Sequence, residues 1–596
     1  MTKWLLLVGV AQGWALWGLW KARELKIWPA LDPLSERALL YLSLALPLAI
    51  YLTHNIATLT RAKRTKILAG IGVLFPLLGA YSGWAENIAV DITGDVWRSP
   101  PARPSDILAA AILGFIIIPL LAHFDRSSKR RSYSALFETA WRNAMLSASS
   151  AALTGAFWVI LFAGAMLMKS IGLEFIFDLI QKPIFCLPIT GLIFGAAFAL
   201  GLARAEMIVT LRRFWLSISS WFLPLLMVFP VMWVIALPFT GLELLFKTHG
   251  AAFALLWFMA LCIKFANAAY QDGENNQPYP RWLSNAITYA WVTLLVVAAI
   301  AWWAMKLRIE QHGWTEDRVW GVFVLALASL YVMGYALAIR DRTSWMSTIG
   351  QTNIVVALVL CAGILLLLSP LVDARRIAVN SQMSRLTNGA ISAEKIDYEY
   401  LRWQAGRYGQ DALEKLIAGI EHKDKEIISS KATQSLARKE RHSAESGARA
   451  LTPAQIRQRI RMLPQGETLN EALVKKFQSP APTHWQENQC LHQKMQCAVW
   501  ITDLNDDGLK DAIVLFEKPE GWISNMFFYH QHAPGQYVFG GMISAPTGLD
   551  NKFFQEMLTA IERGETKMVD AKWKDIEIAG KRLKVIEERC EGTSCQ

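Results

Sequence analysis

The sequence lacks the short signatures of the commoner enzyme chemistries. It contains no G-x-x-x-x-G-K-[ST] phosphate loop, no H-E-x-x-H pair and no G-x-S-x-G nucleophile turn, which removes P-loop, zincin and α/β-hydrolase readings. Its ten histidines are scattered, and no set with metal-ligand spacing stands out. The net charge of +11 comes without the basic patch interleaved with aromatics that binds single strands, so nucleic acid is not an expected partner. Beyond about residue 373 a further feature goes missing: long apolar runs stop and charged residues become frequent.

Before that point apolar sequence dominates. The chain is 53% hydrophobic with 25 tryptophans, and its apolar runs approach the roughly 20 residues that cross a bilayer. Runs bounded by charged or turn-forming residues predict eleven spans, near 4–20, 38–54, 67–85, 105–124, 146–168, 183–203, 214–237, 250–270, 283–305, 319–339 and 353–372. Lysine and arginine concentrate in alternate connections: four in TRAKRTK (60–66), five in DRSSKRRS plus Arg142, then Arg204, Arg212 and Arg213, then Arg340 and Arg342. The positive-inside rule places these loops in the cytoplasm. The amino terminus is then cytoplasmic and the carboxyl terminus outside. The first connection, with Lys21, Arg23 and Lys26, disagrees and is outvoted. The first run leads into bulky LWGLWKA rather than a small-residue cleavage site, so it reads as a retained anchor.

The expected fold is therefore a polytopic α-helical membrane protein of about eleven transmembrane helices (1–373), followed by a helical stalk (374–480) and a small α+β soluble domain (481–596). Stalk helicity is read from apolar positions three and four apart in ISAEKIDYEYLRWQAGRYGQDALEKLIAGI, and from Thr452 and Pro453, a cap and first-turn proline. Cys186, Cys262 and Cys361 fall in spans and read as small apolar residues. Cys490, Cys497, Cys590 and Cys595 lie in the soluble domain. Outside the membrane such a set is expected to form two disulfides rather than a zinc site, because C-x2-C spacing is absent; the connectivity stays open.

The stretch DLNDDGLKDAIV (503–514) lies between two β-branched apolar runs, AVWIT and AIVLF. It is not an EF-hand: position twelve is Val514 and its flanks read as strands. D-x-N-x-D-G-x-x-D between strands resembles the hairpin loop of FG-GAP repeats. The resemblance implies a structural Ca2+ held by Asp503, Asn505, Asp507, the Leu509 carbonyl and Asp511, with an Asx-rich turn without metal as the alternative.

Polar residues beside the spans are candidates for lining a membrane cavity: Glu174 and Asp178 in LEFIFDLIQKP, Glu243 after Pro238, and Arg308, Glu310 and His312 in KLRIEQHGWTEDRVW. The plain reading of the last stretch is a helix start, with Thr315 as N-cap and Glu316, Asp317 and Arg318 in the first turn. RIEQHGWTEDRVW, together with NAAYQDG (267–273) and LVDARRIAVNSQMSRL, resembles a bacterial family of multi-pass inner-membrane proteins catalogued as domain of unknown function 4153. The resemblance implies location in the inner membrane and a multi-pass architecture, and carries no catalytic residue. Three functions fit: transport or envelope assembly, with membrane lipid and envelope proteins as partners; a membrane enzyme acting on lipid-linked sugars; or a non-catalytic envelope sensor or scaffold. Helix-breaking prolines and flanking acids place the first ahead.

Overall fold

A computed structural model describes residues 3–86, 103–124, 133–242, 250–273, 279–340, 345–437, 452–478, 497–516, 526–543, 551–567, 576–578 and 581–583. The chain divides into two compact units, Met1–Lys439 and Glu440–Gln596.

The first unit is helical. Its long helices are α1 (Lys3–Leu25), α2 (Pro33–His54), α3 (Arg61–Glu86), α4 (Pro104–Ala122) and α5 (Tyr133–Ser170). After the short α6 (Phe175–Gln181) come α7 (Pro183–Ala203), α8 (Ala205–Thr240), α9 (Ala251–Tyr270), α10 (Arg281–His312), α11 (Glu316–Ala336) and α12 (Ile349–Leu367). Among the described residues, ten of these helices, α2–α5 and α7–α12, are long and apolar enough to cross a membrane. The chain is thus an integral membrane protein. The remaining predicted span, near 4–20, does form a helix, α1, but it is not among the ten.

What seats α1 is close packing. Gly9 and Gly13 on α1 face Gly191 and Pro188 on α7, and a Cβ at Gly9 or Gly191 would strike the carbonyl oxygen of the other. Small residues four apart allow this approach of two backbones. Tyr51 of α2 adds a hydrogen bond from its hydroxyl to the Leu5 carbonyl at 2.9 Å.

Helix starts follow the chain's capping residues. Asp32 accepts from the amides of Leu34 and Ser35 ahead of Pro33, and Thr315 accepts from Arg318. Asp373 accepts from the Arg375 amide and opens α13 (Ala374–Thr387). Then come α14 (Tyr398–Trp403), α15 (Gly406–Ala418) and α16 (Lys425–Ala437). These four helices, in the stretch expected to be a stalk, enclose their own core of Leu386, Leu401, Leu413, Leu416 and Ile428 within the first unit.

The second unit is α+β. It comprises α17 (Pro453–Arg459), β1 (Ile460–Leu463), α18 (Glu471–Gln478), β2 (Cys497–Thr502), β3 (Asp511–Phe516), β4 (Met526–Ala533), β5 (Gln536–Ile543), α19 (Asn551–Glu562) and a separate ribbon of β6 (Ile576–Ile578) and β7 (Lys581–Leu583). Thr452 and Gln455 form a full capping box at α17. The five-stranded sheet has order β1-β2-β3-β4-β5; β1 runs parallel to β2, with Ile460 opposite Cys497, and the other pairs are antiparallel. Side chains alternate between faces. Val499 and Val514 join Phe477 and Leu473 of α18, whereas Ala498 and Ile513 join Phe554 and Leu558 of α19.

Candidate functional site

Ionisable side chains collect at one end of the helix bundle, where α2, α4 and α11 begin, α3 ends and α13 follows the last span. Arg37 Nη2 lies 3.1 Å from Glu86 Oε2, and both side chains are almost fully buried. The Glu86 carboxylate also has Arg375 Nη1 at 3.6 Å and Arg103 Nε at 3.9 Å, and accepts from Ser82 Oγ at 3.3 Å. Arg103 continues to Glu316 and to the Gln404 carbonyl. Arg375 grips Asp373 with two guanidinium nitrogens, at 3.1 and 2.8 Å. This two-pronged geometry is the strong form of a charge-assisted pair.

Tyrosines extend the cluster. Tyr81 donates to Asp373 at 2.6 Å and meets the Tyr408 hydroxyl at 3.0 Å, while Tyr400 donates to Glu316 at 2.9 Å. Trp84 stacks on Tyr81, meets Tyr408 edge-on and carries Arg407 over its face at 4.8 Å. Gly406, at φ +59, packs against the Ala85 carbonyl where a Cβ would clash. The segment after the last span is thereby bolted to the ends of α3 and α11.

Burial works against the Asp373 carboxylate, but the hydrogen bonds and charge of Arg375 and the Tyr81 hydroxyl outweigh it and hold the carboxyl below its ordinary range. Burial likewise opposes the Arg375 charge, and Asp373 more than offsets it. Burial first, and then Glu316, push the Tyr400 hydroxyl upward, keeping it a neutral donor.

Asp106 stands apart. It is buried in the first turn of α4, and its one side-chain hydrogen bond on show comes from Ser105 at 3.3 Å. The cluster therefore holds four carboxylates (Glu86, Asp106, Glu316, Asp373) and three guanidinium groups (Arg37, Arg103, Arg375). Among the described residues Asp106 is the one of these seven that takes part in no ion pair, and Arg407, over Trp84, adds a further positive charge at the margin.

Of the six residues expected to line a membrane cavity, the five described do not meet at one place. Glu174 is exposed at the cap of α6, 3.6 Å from Lys169, and Asp178 is exposed one turn on. Arg308, Glu310 and His312 occupy the last turns of α10; Glu310 is exposed and lies 3.7 Å from Lys306, and His312 is also exposed. The Glu310 and Gln311 carbonyls at that helix end are capped by Arg385, at 3.0 and 2.9 Å. Helix-end charges in contact with water have no reason to converge. Glu243 lies outside the described residues.

At the 503–511 hairpin, β2 and β3 flank the loop as expected, with Thr502 opposite Asp511. Asp503 accepts from the amides of Asn505, Asp507 and Gly508, and Asp507 from the Leu509 amide. Buried Asp511 accepts from the amides of Leu504 and Gln531 and meets His530 Nδ1 at 3.0 Å. The carboxylates are turned to backbone N–H groups, as in Asx turns. Among the described residues no group of three or more His, Cys, Asp or Glu side chains gathers as a metal site. Cys490, Cys590 and Cys595 lie outside the described residues. Cys497, buried at the start of β2, is not among the free thiols, which are those of Cys186, Cys262 and Cys361.

Reading charges loop by loop missed Arg37, Glu86, Arg103, Asp106 and Arg375. Their signal is position: each stands at a span boundary, and Glu316, Asp373 and Arg375 lie inside the two motifs RIEQHGWTEDRVW and LVDARRIAVNSQMSRL. No curated protein and no solved structure matches the chain. Residues 48–417 match the family described as Domain of unknown function (DUF4153), a match that covers well over half of the sequence and takes in every member of the buried cluster except Arg37. The chain belongs to the DUF4153 family.

Proposed function

We propose that the protein moves a charged envelope component across the bacterial inner membrane, and that the buried cluster is the site where transport is coupled to a proton or a small cation. In this reading the amino terminus is cytoplasmic and the second unit periplasmic. The observation that carries it is the gathering of four acids and three arginines at the meeting point of five helix ends, with Asp106 buried there outside every ion pair of the group. Ionisable groups inside membrane bundles mark ion pathways and proton relays. The cluster joins elements that a change of charge would drive apart or together. Prolines inside α2, α3, α4, α7 and α8 support the reading, since they open the helix ladder where a substrate path needs free backbone groups.

The test uses full-length protein in liposomes, given fractions of radiolabelled envelope extract under an imposed pH or sodium gradient. Wild type accumulates a solute from at least one fraction, and Asp106→Asn does so no faster than empty liposomes. Gradient-driven uptake preserved in Asp106→Asn overturns the coupling site; no uptake from any fraction overturns transport. The fastening of α14 and α15 to α3 and α11 by Tyr408, Tyr400 and Gly406 favours a second reading, an assembly factor whose rigid membrane part presents the second unit to envelope proteins.

A further inference from the structure

Asp106 is the third residue of the spanning helix α4 and is only 8% exposed. Each arginine of the cluster is already committed to an acid: Arg37 to Glu86 at 3.1 Å, Arg375 to Asp373 at 2.8 Å, and Arg103 to Glu316. Asp106 is left with the Ser105 hydroxyl at 3.3 Å, a long and therefore weak hydrogen bond. The titratable groups around it are Tyr41 from α2, Glu86 from α3, Asp373 and Arg375 from the segment after α12, and Arg103 just before α4. α12, which shares a core with α4, ends in leucines.

Arg103 and Arg375 attract a negative charge on Asp106, while Glu86 and Asp373, which they already serve, repel it. The start of α4 favours an anion too, but that effect is confined to the first turn and is weaker than the cost of burying a carboxylate without an ion-pair partner. On the membrane side, Ile107, Ala110 and Ala111 of α4 line an apolar cavity of about 60 Å³ with Tyr41 and Phe75. A hard metal cation takes about six oxygens. Among the described residues no metal-ligating group gathers here, and Ser105 supplies the one oxygen that hydrogen-bonds to Asp106. A proton needs no such shell.

We propose that the ion coupled at this cluster is a proton, and that Asp106 carries it as a neutral carboxylic acid while the three ion pairs are closed. Coupling in this sense rests on the transport reading; the protonated state of Asp106 does not. Water reaches the cluster at the Arg103–Glu316 pair, whose side chains are 25% and 20% exposed, and supplies the proton. Deprotonation breaks the Asp106 O–H bond, leaves the electron pair on the carboxylate and returns H+ to that water. The new anion then competes with Glu316, Glu86 and Asp373 for Arg103 and Arg375, which loosens the ties among α3, α4, α11 and α13.

Infrared spectroscopy of the full-length protein in detergent tests the acid, because a protonated carboxyl absorbs apart from the amide bands. At neutral pH the wild type shows such a band; it is lost in Asp106→Asn and kept in Asp178→Asn, a change at an exposed acid. Replacing choline chloride by sodium chloride leaves the band unchanged. A wild type without the band overturns the proposal, whether or not any variant folds. A band that survives in Asp106→Asn belongs to another acid and overturns it as well, and so does a band that sodium removes. Liposome uptake separates this from the transport reading: a pH gradient is expected to drive it and a sodium gradient is not. Uptake that follows sodium alone overturns the proton and leaves transport standing. No uptake, with the band present, overturns the coupling and leaves the protonated Asp106 standing.

Discussion

The two ends of the bundle hold their helices together by different chemistry, as the two ends of α11 show. At its start Glu316 belongs to the ionic cluster; at its other end, about 28 Å away at 1.5 Å per residue, Tyr335 belongs to a neutral one. Tyr335 donates to Asn353 Oδ1 at 2.6 Å and accepts from Asn267 Nδ2 at 2.9 Å, and Asn353 Nδ2 donates to the Tyr133 hydroxyl at 2.7 Å. Asn55 and Asn143 pair at 2.6 Å where α2 ends. Neutral amides and phenols satisfy one another without the large desolvation cost of ions, and they tie α5, α9, α11 and α12 in one arrangement. The ionic end carries that desolvation cost, and its Asp106 is buried without an ion-pair partner among the described residues. The neutral end is built as a joint, and the ionic end as a responsive element.

Removing one member from each end breaks the comparison most sharply. Arg375→Leu strips Asp373 and Glu86 of a buried partner and is expected to destabilise the full-length protein by about 3–5 kcal/mol. Asn353→Leu is expected to cost about 1–2 kcal/mol. Equal shifts in the tryptophan-fluorescence melt would remove the distinction between the ends. Next in size are two phenol deletions. Tyr81→Phe loses a hydrogen bond to a carboxylate, worth about 1.5–3 kcal/mol, and Tyr133→Phe loses one to an amide, worth about 0.5–1.5 kcal/mol; the same melt ranks them.

Acid separates the ends more gently. The Asp373 carboxyl is held below its ordinary value of 3.8, so the stability it contributes is complete above that pH and is lost as pH falls through the folded value. The melting point of the wild type therefore declines as the pH falls below 3.8, and Asp373→Asn flattens that decline whereas Asn353→Leu leaves it intact. The smallest effect is expected where carboxylates are already satisfied by amides. Hydrogen exchange of the Asn505, Asp507, Gly508 and Leu509 amides is expected to be the same in 1 mM Ca2+ and in chelator. Protection by calcium would support the cation-binding reading of that hairpin over the Asx-turn one.

Much of the architecture can be read from the chain because its determinants are local. Apolar runs mark ten of the spanning helices to within several residues, with the amino-terminal extension of α5 as the largest difference. Thr452, Pro453 and Gln455 mark α17, and Thr315 marks α11. The alternating Val, Ile and Ala of β2 and β3 mark a sheet buried on both faces. The candidate site is legible only in pieces, because no two of Arg37, Glu86, Arg103, Glu316 and Arg375 belong to the same helix. Each taken alone looks like a solvated loop charge or a topological marker. Their convergence is a property of the packed bundle, and no window along the sequence contains it. Glu174 and Asp178 fail for the converse reason: one turn apart, they look like a pair, yet α6 leaves both in the open.

The glycine contact between α1 and α7 bears on how the protein is made. Gly191 is synthesised some 180 residues after Gly9, so during translation the glycine contact cannot form until the seventh helix has emerged, and until then α2 is the neighbour at hand, through Tyr51 and Glu36. A segment of modest hydropathy must wait at the membrane through that interval and is then captured by a backbone-to-backbone fit that admits no side chain. The final seating of the first helix is therefore a late event in the birth of this molecule, although its residues precede those of α7.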